Sequence, residues 1–169
     1  MSSACLLRVS AEGRLHLDQH VLPCTLGRAG IVPDKREGDG GTPPGRHPLR
    51  EVFFRPDRLP PPATGLPRTA LEPDMGWCDD PADGAYNRLI RRPFAASHES
   101  LWRDDGLYDL IVVLGYNDDP VEPGAGSAIF MHVASPEFGP TEGCVGLSLD
   151  NLHWLLGRCG PGSQLDVAP

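Results

Sequence analysis

Short apolar runs separated by turn residues recur along the 169-residue chain, and their spacing predicts strands more often than helices. Residues 4–10 and 14–18 predict two strands joined by the turn Ala11-Glu12-Gly13, and 20–27 a third. Residues 32–48 form a long Gly- and Pro-rich stretch that forbids regular structure, and a loop this long is usually functional or mobile. A strand resumes at 49–54. A proline-rich extended loop follows at 59–65, then a short edge strand at 69–71 and an irregular stretch at 77–92. Ser97 offers an N-cap for a short helix through Arg103. Residues 107–116 carry the unbroken run Leu110-Ile111-Val112-Val113-Leu114, which predicts a central strand buried on both faces. Residues 127–134 predict another strand, with Phe130, His132 and Ala134 on one face and Ile129, Met131 and Val133 on the other. Ser148 caps a helix from Leu149 to about Gly157, with Asp150 in its first turn and an apolar stripe of Leu149, Leu152, Leu155 and Leu156. A last strand covers 164–167. The expected fold class is mainly β with one or two short helices.

Composition agrees. Twenty glycines and 19 prolines disfavour a helical bundle and suit many short strands joined by turns. The length fits one domain with a core that needs no metal or disulfide staple. A net charge of −8 argues against nonspecific binding of nucleic acid or anionic membrane. Fourteen of the fifteen basic residues are arginine, Lys35 being the exception, and the guanidinium fork suits carboxylate ligands. No segment is apolar for long enough to span a membrane. The N-terminus lacks the basic and apolar regions of a secretory signal, so the expected location is cytoplasmic, or periplasm and cell wall if the chain is exported. Five cysteines without metal-finger spacing point to mostly reduced thiols.

The segment with chemical content is 130–148. His132 lies within a strand, and twelve residues later Cys144 sits in a Thr-Glu-Gly-Cys turn just before a helix. A free thiol with a pKa near 8.5 is only about 3% thiolate at pH 7, so a nucleophilic cysteine needs a base to take its proton. Lowering a thiol pKa by ~2 units is worth ~2.7 kcal/mol. Gly143 has no side chain, so its N–H and that of Cys144 can approach a reacting carbonyl as oxyanion donors.

This segment resembles the L,D-transpeptidase catalytic domain of the YkuD type. That family carries a His followed, a dozen or more residues on, by Ser/Thr-His-Gly-Cys, and the matching residues are His132 and Thr141-Glu142-Gly143-Cys144. Weaker likeness extends to the 35–45 stretch ending Thr42-Pro43-Pro44-Gly45, to Trp77-Cys78-Asp79-Asp80, to Tyr86-Asn87-Arg88 and to 101–109. The likeness covers about 26–150. It implies a mixed β-sheet sandwich spanning one domain, 1–169, with its motif core at about 126–149. It also implies a mechanism. Cys144 attacks the L,D bond of a peptidoglycan stem tetrapeptide, D-alanine leaves, and the thioacyl enzyme passes its acyl group to an amine. His132 is base and then acid, the Val133 carbonyl fixes its tautomer, and the N–H groups of Gly143 and Cys144 hold the oxyanion. Stem peptides or muropeptides are the implied partners, cell wall biogenesis the implied process, and carbapenem-type β-lactams a candidate inhibitor class; no metal or organic cofactor is implied.

Two residues depart from the family pattern. Glu142 replaces the motif histidine, and a carboxylate beside a thiol opposes its ionisation. Either it points away, or it supports a hydrogen bond to His132 or to the substrate amine. Gly146 stands where many members have Arg or Asn. With Thr141 and Arg88, these two make the candidate substrate-binding set. Each has a plainer reading: Thr141 as a turn residue, Glu142 as a structural carboxylate, Arg88 as part of a solvated face with Arg91 and Arg92. Two further functions stay open. One is an L,D-carboxypeptidase using water as acceptor in muropeptide recycling, and the other an inactive peptidoglycan-binding module. A papain-like hydrolase is disfavoured because the His precedes the Cys.

Overall fold

The computed structural model describes residues 3–169. In chain order the strands are β1 (Leu6–Ser10), β2 (Arg14–Leu17), β3 (His20–Pro23), β4 (Gly45–Phe54), β5 (Arg68–Ala70), β6 (Met75–Cys78), β7 (Leu89–Arg91), β8 (His98–Ser100), β9 (Leu110–Leu114), β10 (Phe130–Val133), β11 (Val145–Leu147) and β12 (Gln164–Val167). One helix, α1 (Leu149–Leu156), lies between β11 and β12. A mixed sheet runs β11-β10-β9-β4-β12-β1-β2-β3, with β5 added to β4. The pairs β1–β12, β4–β5 and β10–β11 are parallel and the others antiparallel.

The long strand β4 bends this sheet over on itself. Its first half pairs with β12 and its second half with β9 and β5, and the register with β9 slips between Leu49 and Glu51. Such a bulge increases local bend and twist. The two ends of the strand order then meet, because Thr25, just beyond β3, bridges Gly146 of β11 through paired backbone hydrogen bonds of 2.8 and 3.0 Å. The result is a sandwich that nearly closes into a barrel.

Alternation along the central strands divides the core in two. Val52, Phe54, Leu110, Val112, Leu114 and Met131 point into the barrel, where α1 also buries Leu152, Leu155 and Leu156. Phe53, Ile111, Val113 and Phe130 point the other way, onto a second apolar cluster. That outer cluster is covered by a separate three-stranded sheet, β7-β6-β8. Trp77 of β6 meets Phe130 edge-on at a centroid distance of 5.1 Å. His132 has the same parity as Phe130, so β10 sends its imidazole to the outer side, towards the small sheet.

Several sequence expectations change. The predicted helix from Ser97 to Arg103 is strand β8, so the described residues contain one helix. The Ser97 hydroxyl donates to Asp79 Oδ1 at 2.6 Å instead of capping, and residues 98–100 pair with β6. The stretch 77–92, expected to be irregular, contributes part of β6 and all of β7. Strand β4 begins at Gly45, inside the expected loop, because β12 offers it a partner. The expected strand 20–27 stops at Pro23, because beyond it Thr25 and Gly27 leave β2 and bridge Gly146 and Thr141 instead. By contrast, the helix after Ser148 forms as expected, with its hydroxyl accepting from Asn151 N at 3.2 Å.

Candidate active site

A cavity of about 430 Å3 opens where the outer face of β10 meets the small sheet and the 135–144 loop. His132 and Cys144 both line it. That volume is within the range of small-molecule sites.

His132 is almost fully buried. Its Nδ1 lies 2.8 Å from the Val133 carbonyl oxygen. A carbonyl only accepts, so Nδ1 carries the proton and Nε2 presents a lone pair. Burial lowers the imidazole pKa below its ordinary 6.5, outweighing the opposing hydrogen bond to Val133. The ring is therefore neutral at pH 7. The Tyr108 ring stands edge-on to it at 5.4 Å, and the Tyr108 hydroxyl donates to Glu99 Oε1 at 2.9 Å. Burial raises Glu99 to about 7 and holds the Tyr108 phenol well above its ordinary value.

Cys144 is held by its backbone. The Thr141 hydroxyl donates to the Cys144 carbonyl at 2.6 Å and accepts from the Gly143 N–H at 3.1 Å. Thr42 closes the turn from the other side: its hydroxyl donates to the Gly143 carbonyl at 3.0 Å and accepts from Gly27 N at 2.9 Å. The Gly143 N–H is thus engaged, whereas the Cys144 N–H has no hydrogen-bond partner among the described residues. One of the two expected oxyanion donors is therefore occupied at rest, and the other is free.

The thiol donates to the Ala128 carbonyl at 3.2 Å, and the Phe130 N–H donates to Sγ at 3.4 Å. Burial pushes the thiol up to about 12, more than the Phe130 N–H offsets. At rest Cys144 is a neutral thiol whose S–H is donated to the Ala128 carbonyl.

Gly143 has φ of +135°, a conformation that an L side chain rarely adopts, and an added Cβ falls 2.7 Å from the Gly41 carbonyl oxygen. Gly143→Ala is expected to destabilise the fold by about 2–4 kcal/mol from backbone strain and overpacking together. Urea or thermal melts check this.

The remaining sequence candidates separate. Thr141 and Glu142 line the cavity. The Glu142 carboxylate is exposed and meets Arg28 Nε at 3.0 Å. Glu142→Gln is therefore expected to change the reaction rate of Cys144 with a small thiol-reactive reagent by less than about 3-fold, because solvent screens the charge that is removed; alkylation rates measured at pH 7 decide it. Arg88 lies outside this cavity: it borders a different hollow with Arg50, Trp77 and Asn87, and donates to the Asp118 carbonyl at 3.2 Å. Gly146 also lies outside. It faces Thr25, whose Oγ1 falls 2.5 Å from an added Cβ, so the barrel closure leaves no room here for a longer side chain.

The chain matches the L,D-transpeptidase catalytic domain of the YkuD family over residues 6–167. It belongs to that family. No curated protein matches the sequence. Among solved structures, the YkuD chain is similar to Mycobacterium tuberculosis L,D-transpeptidase 1 at 16% identity and a TM-score of 0.46, covering 98% of this chain and 60% of that one. It is also similar to an L,D-transpeptidase from Mycobacterium smegmatis at 14% identity and a TM-score of 0.44, covering 98% and 58%. The chain thus spans about three-fifths of the length of those two proteins.

The YkuD cavity also contains residues that the sequence reading left without a role: Glu99, Tyr108, Asp79, Ser127 and the loop around Lys35. Lys35 donates to Asp39 Oδ1 at 2.6 Å and to the Arg36 carbonyl at 2.7 Å, and Asp39 also accepts from the N–H groups of Arg36 and Gly41. Glu37 of the same loop accepts from Tyr86 at 2.7 Å and Ser127 at 2.6 Å. The long Gly-rich stretch is thus a pinned wall of the site. The one available signal was the lone lysine in a loop otherwise served by arginines. Among the described residues no group of His, Cys, Asp or Glu is arranged to hold a metal, and no helix is long and apolar enough to cross a membrane.

Proposed function

We propose that this YkuD domain is a cysteine-dependent L,D-transpeptidase acting on peptidoglycan stem tetrapeptides, with Cys144 as nucleophile and His132 as base and acid. The observation that supports it best is the shared cavity wall: a buried neutral imidazole with Nε2 unprotonated borders the same space as the only thiol there. As substrate enters, Sγ turns away from Ala128 and gives its proton to His132 Nε2. The sulfur forms a bond to the carbonyl carbon of the L,D linkage, and the Cys144 N–H meets the oxyanion. His132 returns the proton to the departing amine, the C–N bond breaks, and D-alanine leaves. An acceptor amine then attacks the thioester, passes a proton to His132, and restores the thiol. On this reading residues 1–169 act as one catalytic domain.

Intact mass of the enzyme mixed with a diaminopimelate-containing tetrapeptide tests the scheme. A tripeptidyl adduct on Cys144 with free D-alanine supports it, and an added amine should appear in cross-linked product. Tripeptide alone, even with abundant acceptor, replaces transpeptidation with L,D-carboxypeptidation. Binding without adduct or product leaves only a peptidoglycan-binding module. The transpeptidase reading goes with work at the cell wall, the carboxypeptidase reading with muropeptides in the cytoplasm.

A further inference from the structure

We infer that Cys5 and Cys159 form a redox-active dithiol, separate from the catalytic cavity, that closes into a disulfide on meeting a low-molecular-weight disulfide. The two Sγ atoms lie 3.1 Å apart although 154 positions separate them in the chain. An approach of about 1 Å reaches the ~2.05 Å of a disulfide bond. The backbone already holds both residues in place. The Ser163 hydroxyl oxygen accepts from Cys5 N at 3.0 Å and from Gly160 N, next to Cys159, at 3.1 Å. Gln164 N donates to the Cys5 carbonyl at 2.9 Å, and Ser3 and Cys159 form a parallel bridge.

The pair is also chemically asymmetric. Cys159 is fully buried, while Cys5 is half-buried and lines a second cavity of about 540 Å3 with Arg8, Asp18 and Arg158. An oxidant reaches Cys5 and not Cys159. The contacts of Cys5 Sγ with Cys159 Sγ at 3.1 Å and with the Ser163 hydroxyl at 3.4 Å hold its pKa well below the ordinary thiol value. The same contact and burial push Cys159 up. These are the properties of an attacking thiolate beside a buried resolving thiol.

The exchange balances in two steps. The Cys5 thiolate attacks a small disulfide such as oxidised glutathione, forming Cys5–S–S–R and expelling one thiolate. Cys159 loses its proton to that thiolate, and its sulfur attacks Cys5 Sγ, displacing the second thiolate, which takes a proton from solvent. Two protein thiols are oxidised and one small disulfide is reduced to two thiols. Neither cysteine lines the catalytic cavity, so the bond fastens the start of β1 to the turn after α1 without touching Cys144.

Incubation with oxidised glutathione, followed by alkylation in denaturant and non-reducing peptide mapping, tests this. Two of the five thiols should lose reactivity, and one cross-linked peptide should join Cys5 to Cys159. In Cys5→Ser, which changes only the half-buried partner, that peptide should vanish and Cys159 should stay free. Five alkylated thiols after oxidation, a lasting glutathione adduct on Cys5, or a disulfide between other cysteines overturns the inference.

Discussion

On the proposed scheme Cys144→Ala is expected to abolish acyl transfer: D-alanine release from a stem tetrapeptide should fall by at least about 10^4-fold, and no adduct should form by intact mass. Removing the nucleophile removes the covalent pathway, leaving only what substrate binding and the oxyanion donor supply. The fold should survive, because Thr141 anchors the Cys144 backbone and alanine gives up only the two sulfur contacts to Ala128 and Phe130. Cys144→Ser should be nearly as inactive. The site already holds a thiol up at about 12 by burial, and a hydroxyl starts from a much higher pKa in the same dry setting. Turnover by the serine variant at a rate near wild type would remove the thiolate from the scheme. Circular dichroism and melting of both variants separate loss of chemistry from loss of structure.

Much of this fold was legible in local pattern. The run Leu110–Leu114 signalled two-sided burial, and it lies between the barrel interior and the outer cluster. Ser148 announced α1, and residues 164–167 match β12. The failures have a common cause. Strands of three or four residues, such as β7 and β8, carry too little pattern of their own and exist because β6 offers them backbone partners. Ser97 reads as a helix cap until Asp79, eighteen positions away, takes its hydroxyl. The site divides in the same way. Period-two alternation put His132 on the face of Phe130, and that face borders the cavity. The tie from Thr42 to Gly143 spans 101 positions, and Glu99 of the small sheet is linked to His132 only through Tyr108. Nor does any local motif encode a resting thiol bonded to Ala128, since that bond depends on burial by the whole outer cluster.

That resting bond makes the second large effect, at His132, specific. A thiol held up at about 12 carries very little thiolate at pH 7, so the proposed scheme does not start from a pre-formed ion pair. On the proposed scheme the proton passes to Nε2 during the reaction, and His132→Gln, which keeps a polar side chain but offers no base, should lower kcat/KM by about 10^3-fold or more. The pH profile distinguishes the two arrangements. Burial depresses the His132 pKa, so the competent neutral ring is lost only as pH falls below a value under 6.5, and activity should climb to a plateau before neutrality. The thiol adds no alkaline limb until far above neutrality. An ion pair would instead show a bell, falling on the alkaline side as the imidazolium loses its proton. In His132→Gln the acid limb should disappear along with the rate. If that limb stays in the variant's residual activity, another group is the base, and Glu99, raised to about 7 at the far end of the Tyr108 contact, is the first to test.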